Sequence, residues 1–447
     1  MVCADGRAFT YGALQGDGDR FAESISARHK TLGFILCRNT PECLVAYLGA
    51  LRGGHAVCLL DAELDPELLS HLLDIYAPDW IFTTEIRDIA DYASHQVDQG
   101  FLLRRNSGEP ATELEPELAV LLPTSGSTGS PKLVRLAFRN LQANACSIVQ
   151  YLGITDADRA ITSLPMAYSY GLSVLHSHLL AGGRLLMTTG SFLQREFWDF
   201  FSQQQPTSLA GVPYHYETML RMRMLDKQLP GLQTLTQAGG RLAPDRIAEV
   251  QKISLHRGRR FFVMYGQTEA TARISYVPPE RLNEKIGSIG VAIPEGQLSL
   301  DPCTEELLYS GPNVMLGYAE NRSDLAKGDE MKGMLRTGDK ARQDDEGYYY
   351  IVGRLKRFLK IFGKRFSLDE METLIGQHVG TAVACFGSDD NVHIAVERST
   401  NGQAVATVVK DMLKIHPSAF RIVRVDTIPR LPNGKLDYQS LARLQEP

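Results

Sequence analysis

Between Thr31 and Thr83 short apolar runs alternate with helical patterns, and this alternation limits the fold more than any other feature. Thr31–Leu36 reads as a strand, Pro41–Leu51 as a helix, Ala56–Leu60 as a strand, Pro66–Tyr76 as a helix and Trp80–Thr83 as a strand. Strands separated by helices predict α/β layers with largely parallel sheets. The pattern changes after Gly353. Short strands at Ala382–Phe386 and Val392–Val396, with helices at Ser367–Ile375 and Ala404–Lys414, suffice for a small α+β domain. The best boundary is Gly353-Arg354-Leu355-Lys356, after a strand at Tyr348–Val352. The expected organisation is a large N-terminal domain over 1–352, a hinge at 353–356 and a small C-terminal domain over 357–447. A length of 447 residues fits such a division.

A formal net charge of -5 gives no support to a nucleic-acid partner, which calls for a basic excess. The seven cysteines are scattered, with no pair at C-x-x-C spacing, which argues against a zinc site or a disulfide framework and for a reducing compartment. Met1–Arg7 lacks the order of a secretion signal, and no apolar stretch approaches the ~18 residues of a membrane span. A soluble, cytoplasmic protein is expected.

The apolar strand signal Leu118–Leu122 runs into Pro123-Thr124-Ser125-Gly126-Ser127-Thr128-Gly129-Ser130-Pro131-Lys132. Such a loop can turn backbone N–H groups and hydroxyls toward phosphate oxygens, and Lys132 adds a positive charge. The bland alternative is a flexible surface turn, weakened here by apolar runs on both sides. A Walker loop would need its lysine to open a helix, yet Leu133–Leu136 is strand-like, so the topology is strand–loop–strand.

Residues 124–132 match T-S-G-S-T-G-x-P-K throughout, and the chain resembles the adenylate-forming enzymes: acyl-CoA synthetases, luciferases and peptide-synthetase adenylation domains. Further segments agree in the family's order. Tyr265-Gly266-Gln267-Thr268-Glu269 is similar to Y-G-x-T-E, Thr337-Gly338-Asp339 to T-G-D, Gly353-Arg354-Leu355-Lys356 to the hinge segment, and Leu431–Asp437 to the C-terminal segment carrying a catalytic lysine. Gly287-Ser288-Ile289-Gly290, and Gly311–Met315 with Gly317-Tyr318, are similar to segments assigned to turns and packing.

The resemblance implies activation of a carboxylic acid by ATP to acyl-AMP with loss of pyrophosphate, followed by acyl transfer to the thiol of CoA or of a carrier protein's phosphopantetheine. It implies that Thr124, Ser125, Gly126, Ser127, Thr128, Gly129 and Lys132 hold phosphates, and that Tyr265 and Gly266 meet adenine. Thr268 would bond a phosphate oxygen, and Glu269, with Thr128, would hold Mg²⁺. Asp339 would take the ribose hydroxyls, Arg354 the ribose or phosphate, Lys356 would be the pivot and Lys435 the catalytic lysine. Taken alone, Lys435 is equally a solvated lysine after an Asn-Gly turn.

The implied acid pocket comprises Tyr168, Tyr170, Gly171, Val212, Gly239, Gly240 and Arg241. Tyr214 and Tyr216 line the pocket or belong to the core, and Arg241 reaches the pocket or lies on the surface. Amino-acid-activating members place an aspartate where Gly171 stands, so an α-amino acid is disfavoured. Glu305-Glu306-Leu307 stands where Gly-Glu-Leu is usual, and Phe362 where luciferases carry lysine. The expected partners are a small carboxylic acid and, if the acceptor is a carrier protein, one supplied in trans. Transfer to an amine, and a non-catalytic nucleotide-binding homologue, are the alternatives.

Overall fold

The computed structural model describes residues 1–447 apart from Gln99, 107–112, 124–131, Lys356, Gly363, Asp389, 432–434 and 444–447. The chain forms two compact units. One comprises Met1–Gln297 and Tyr309–Leu335, the other Leu298–Leu308 and Arg336–Pro447.

The first unit is layered α/β, built among the described residues on two eight-stranded sheets. The expected helices begin where their caps dictate. Thr40 accepts a hydrogen bond from the Cys43 N–H ahead of helix Pro41–Arg52, and Asp65 accepts from Glu67 and Leu68 ahead of Pro66–Tyr76. Both helices place proline in their first turn, where a missing N–H costs nothing. The strands Leu32–Cys37, Ala56–Asp61 and Trp80–Thr83 run parallel, and every residue of Leu32–Cys37 is buried, as a strand covered on both faces must be. A Cβ on Gly33 would lie 2.0 Å from the Trp80 ring, so only glycine lets that indole pack.

The parallel expectation holds for one sheet more fully than for the other. Val2–Cys3, Arg184–Met187, Arg159–Ile161, Ser208–Gly211, Thr234–Gln237 and Arg260–Tyr265 are all parallel neighbours, followed by antiparallel Ser275–Val277 and Val291–Ala292. The other sheet carries antiparallel pairs on both sides of its parallel centre, at Leu118–Pro123 with Leu133–Ala137 and at Trp80–Thr83 with Gly100–Arg105. The connection from Pro123 to Leu133 is too brief for a parallel crossover.

The strands Gln297–Leu300, Glu306–Ser310, Met334–Gln343 and Tyr349–Arg354 form a four-stranded sheet that falls, apart from strand ends, with the second unit. Compactness therefore divides the chain ahead of residues 353–356, because Met334–Gln343 and Tyr349–Arg354 are hydrogen-bonded neighbours. Lys356 lies outside the described residues. The rest of the second unit is the expected α+β assembly: strands Val383–Ser388, Asn391–Glu397 and Phe420–Val425 with helix Leu368–Val379, capped by Ser367. The helix expected over 404–414 is α-helical only at Gly402–Thr407 and continues as a wider π-turn at Val408–Met412, which keeps Val408 and Val409 both buried.

Candidate active site

Strands Leu118–Pro123 and Leu133–Ala137 are antiparallel with Pro123 opposite Leu133, so the glycine-, serine- and threonine-rich segment closes between neighbouring strands. No helix follows it directly, which removes the Walker alternative. Thr124, Ser125, Gly126, Ser127, Thr128, Gly129, Ser130 and Pro131 lie outside the described residues. Lys132, at the base of the segment, is half-buried, and its Nζ lies 3.4 Å from the centroid of the Tyr318 ring. This is a cation–π contact. Tyr318 belongs to the strand Gly317–Ala319, which pairs with Leu133–Ala137 so that Tyr318 faces Val134. The fully buried Arg135 fixes that pairing, its Nε donating to the Tyr318 carbonyl at 3.1 Å.

The Tyr318 hydroxyl donates to Glu269 Oε1 at 2.9 Å. Burial, and then the adjacent Glu269 carboxylate, raise the phenol's pKa, so the hydroxyl remains a donor. One ring therefore holds the lysine of the loop on its face and the acid of Y-G-x-T-E at its hydroxyl. The sequence assigned Tyr318 to packing; the structure places it between the two charged groups of the site.

Glu269 and Thr268 sit on the short 3-10 turn Thr268–Ala270, after the strand Arg260–Tyr265. The chain then doubles back, with the Ile274 N–H donating to the Tyr265 carbonyl at 2.9 Å. A Cβ on Gly266 would lie 1.8 Å from the Ala272 carbonyl oxygen, so the close approach requires glycine. Asn313 is the strut of this loop. Only 1% exposed, it donates to the carbonyls of Ala270 at 2.7 Å and Arg273 at 2.8 Å. It accepts from the Tyr309 hydroxyl at 2.7 Å, and its own carbonyl accepts from Thr271 Oγ1 at 2.6 Å. Thr268 Oγ1 lies 3.2 Å from Ser169 Oγ, at the first turn of helix Ser169–Leu180, where backbone N–H groups favour an anion. Tyr265 accepts a hydrogen bond from the Gln267 amide at 3.1 Å through its hydroxyl.

Of the pocket residues read from the sequence, Tyr170 and Val212 belong to one buried cluster, with Tyr168 and Tyr214 packed against it. A Cβ on Gly239 would lie 2.4 Å from the Tyr168 hydroxyl oxygen, so that hydroxyl rests on the glycine. Burial pushes the Tyr168 phenol up to about 12, against the pull of Arg273. Gly240 packs on Pro213. A Cβ on Gly171 would stand 2.2 Å from the Pro165 carbonyl oxygen, so position 171 has no room for an aspartate on this backbone. Tyr216 is fully buried, hydrogen-bonded to the Thr236 carbonyl at 2.9 Å, and belongs to a different core cluster from Tyr170. Arg241 is exposed.

The second unit carries the remaining residues. Thr337 Oγ1 donates to the Leu307 carbonyl at 2.7 Å, and Gly338, at φ +74, donates to Glu306 Oε1 at 2.9 Å. This turn presents Asp339, 2% exposed, directly across the strand pair from Arg354, whose Nε donates to its Oδ1 at 2.9 Å. Lys435 is half-buried, its carbonyl accepting from the Leu431 N–H at 2.8 Å. Just after it, the Tyr438 hydroxyl donates to both Glu372 oxygens at 3.0 and 3.1 Å. Glu372 also accepts from Arg357 at 2.8 Å, and the Arg357 guanidinium lies 4.2 Å from the Tyr438 ring centroid. The residue after Lys356 is thereby tied to the segment that carries Lys435.

Among the described residues no cluster of three or more His, Cys, Asp or Glu could hold a metal by itself. Mg²⁺ bridging a triphosphate needs only one or two protein carboxylates, and Glu269, fixed by Tyr318, fits that role.

The chain matches the AMP-binding enzyme family over residues 1–319. It is 28% identical to an indoleacetate–CoA ligase of Aromatoleum aromaticum over 483 aligned positions, covering 98% of this chain and 93% of the relative. It is 29% identical to a feruloyl-CoA synthase of an Amycolatopsis species, covering 86% and 82%. The fold is similar to o-succinylbenzoate CoA synthetase from Bacillus subtilis in complex with its acyl-adenylate intermediate. The TM-score is 0.77 at 20% identity, over 100% of this chain and 95% of that one. By the match over residues 1–319, the chain belongs to the AMP-binding enzyme family.

Proposed function

We propose that the protein is an AMP-forming acid–thiol ligase. It condenses a small carboxylic acid with ATP to give acyl-AMP and pyrophosphate, then passes the acyl group to the thiol of CoA or of a carrier protein's phosphopantetheine. The observation that carries this reading is the placement of Lys132 and Glu269 on one tyrosine, beside the loop that would take the phosphates. The relatives named as CoA ligases span nearly the whole chain, which supports a thiol over an amine as acceptor.

Joining a carboxylate to an α-phosphate brings two anions together, so the catalytic demand is alignment and charge neutralisation. Residues 124–129 and Lys132 would cradle the β- and γ-phosphates, with Tyr265 and Gly266 against adenine. Thr268, beside Ser169 at a helix N-terminus, is set to donate to an α-phosphate oxygen. Mg²⁺ held by Glu269 and Thr128 would screen the leaving pyrophosphate. In the second unit, buried Asp339 would accept the ribose hydroxyls with Arg354 beside it. Lys435 would bridge the reacting oxygens. A hinge at 353–356, pivoting at Lys356, would then withdraw the lysine before thiol attack. The Arg357–Glu372–Tyr438 network supports this, because it makes Lys435 move with the residue next to the hinge. The acid would lie among Tyr168, Tyr170, Val212, Gly239 and Gly240. The lack of space at position 171 speaks against an α-amino acid, whose ammonium would be left without an aspartate.

No helix among the described residues is long and apolar enough to cross a membrane. With ATP and a thiol as co-substrates, we place the protein in the cytoplasm. The test is ATP–pyrophosphate exchange across a panel of carboxylic acids. Acid-dependent exchange is the expected result, and nucleotide binding without exchange for any acid would refute the reading in favour of a non-catalytic nucleotide binder.

A further inference from the structure

The loop that carries Thr268 and Glu269 is strained at its far end. Thr271 and Ala272, neither of them glycine, adopt φ +54 and +104. Such backbone persists only where its surroundings over-determine it. Asn313 holds the loop from one side, through the carbonyls of Ala270 and Arg273. On another side the loop rests on helix Ser169–Leu180, and it does so twice. At the loop's start, Thr268 Oγ1 lies 3.2 Å from Ser169 Oγ. At its end, the Arg273 guanidinium carbon lies 4.1 Å from the centroid of the Tyr170 ring. Two consecutive residues in the first turn of one helix thus receive the two ends of the loop.

The groups around Arg273 are themselves fixed. The Tyr170 hydroxyl lies 2.8 Å from both the carbonyl oxygen and Oγ1 of Thr236. Tyr151, on helix Phe138–Leu152, shares a hydrogen bond with Arg273 and stacks on Tyr276 with ring centroids 4.4 Å apart. Stability does not account for the arginine. It is 2% exposed, among the described residues no carboxylate pairs with it, and its Nε and Nη1 have no hydrogen-bond partner. A guanidinium stays ionised, so burying it incompletely paired is unfavourable, and an apolar side chain fills such a place at less cost. Substrate contact does not account for it either. The space it lines is about 20 Å³, room for a water or two, and Tyr168, Val212 and Gly239 take no part in its wall. What an arginine supplies there is a flat cation that locks onto an aromatic face.

We propose that Arg273 is a positioning residue of the adenylation step: stacked on Tyr170, it holds the end of the loop so that Thr268 keeps its place beside Ser169 and donates to the α-phosphate as acyl-AMP forms. The inference rests on the ligase reading given above. Arg273 touches no substrate and makes or breaks no bond; it acts through Thr268.

The experiment measures kcat and KM of ATP–pyrophosphate exchange, with the carboxylic acid that gives wild type its fastest exchange. Full-length wild type, Arg273→Met and Arg273→Lys are compared, each per folded molecule as read from tryptophan fluorescence. In Arg273→Met kcat should fall about tenfold or more, the scale of one charged hydrogen bond, while KM for the acid stays within about threefold, as befits an interaction felt only in the transition state. Arg273→Lys keeps the charge but not the planar stack and should lie between. Ser169→Ala removes the partner of Thr268 directly, so it should lower kcat less in the Arg273→Met background than in wild type. Equal effects of Ser169→Ala in the two backgrounds overturn the proposal. So does a wild-type kcat in Arg273→Met, which makes the arginine merely structural, or a raised KM at unchanged kcat, which makes it a binding residue. Should Arg273→Met not fold, the lysine variant decides, and a wild-type kcat there overturns the proposal. Each of these results leaves the ligase reading intact; exchange with no acid at all in wild type defeats both.

Discussion

Replacing Asn313 with alanine should loosen the loop that carries Thr268 and Glu269, at a cost the structure allows to be worked out. The side chain is buried, donates to the Ala270 and Arg273 carbonyls and accepts from the Tyr309 hydroxyl. Each lost bond is worth about 1 kcal/mol net, and the stranded buried partners add desolvation costs, so a total of about 3–5 kcal/mol is expected. That is a large share of the ~5–15 kcal/mol that holds a typical domain. Trp80 and Trp198 are the protein's 2 tryptophans, and both lie in the first unit, so their fluorescence in urea follows that unit alone. The midpoint should drop markedly in Asn313→Ala. Stabilisation by MgATP, which follows mass action on a native-state ligand, should shrink with it because Glu269 loses its platform. A variant that unfolds within about 0.5 kcal/mol of wild type, the range of an ordinary surface substitution, would refute the strut argument.

Tyr318→Phe keeps the ring under Lys132 but removes the donor to Glu269, so Mg²⁺-dependent exchange should fall about tenfold while the urea midpoint barely moves; unchanged exchange would remove Tyr318 from the site. Glu305 adopts φ +58, a left-handed conformation that costs a non-glycine residue about 1 kcal/mol or more, so Glu305→Gly should stabilise the second unit by about 0.5 kcal/mol after the unfolded-chain entropy is subtracted. A loss of stability there, measured by thermal denaturation, would count against it. Burial lowers His176 and His215 to about 4 in the folded protein, so between about pH 6.5 and 4 the unfolded chain binds these protons first. Stability of the first unit should therefore fall as pH drops through that window, by at most about 1.4 kcal/mol per pH unit for each histidine, and His176→Gln should make the descent shallower. A flat urea midpoint over the window would refute this.

The parts legible in the sequence were those set by local chemistry. The helix Pro66–Tyr76 and the strand Trp80–Thr83 have the bounds expected, since a capping aspartate, an N1 proline and an apolar run act within a few residues. The two strands read on either side of residues 124–131 match the structure for the same reason. The glycine usual at position 305 gained a physical reason, because the backbone there is left-handed, a conformation that glycine adopts freely and Glu305 adopts at a cost. What escaped were roles that exist only after distant segments meet. Tyr318 follows the loop lysine by almost two hundred residues, and only the pairing of Gly317–Ala319 with Leu133–Ala137 brings them together. Asn313 reads as a turn residue until the 265–274 loop folds onto it. Arg273, in Ala272-Arg273-Ile274, looks like an ordinary arginine, since nothing local signals 2% exposure. The division into units was likewise hidden, because it depends on strand pairing across 306–354.

The central claim is that a lysine on the second unit completes adenylation on nucleotide gripped by the first. It is tested most directly by measuring exchange and nucleotide binding side by side in Lys435→Ala. The expected result is a loss of acid-dependent exchange of roughly a hundredfold or more, the scale of a charge that stabilises a transition state, with ATP still bound. Exchange at the wild-type rate would contradict it.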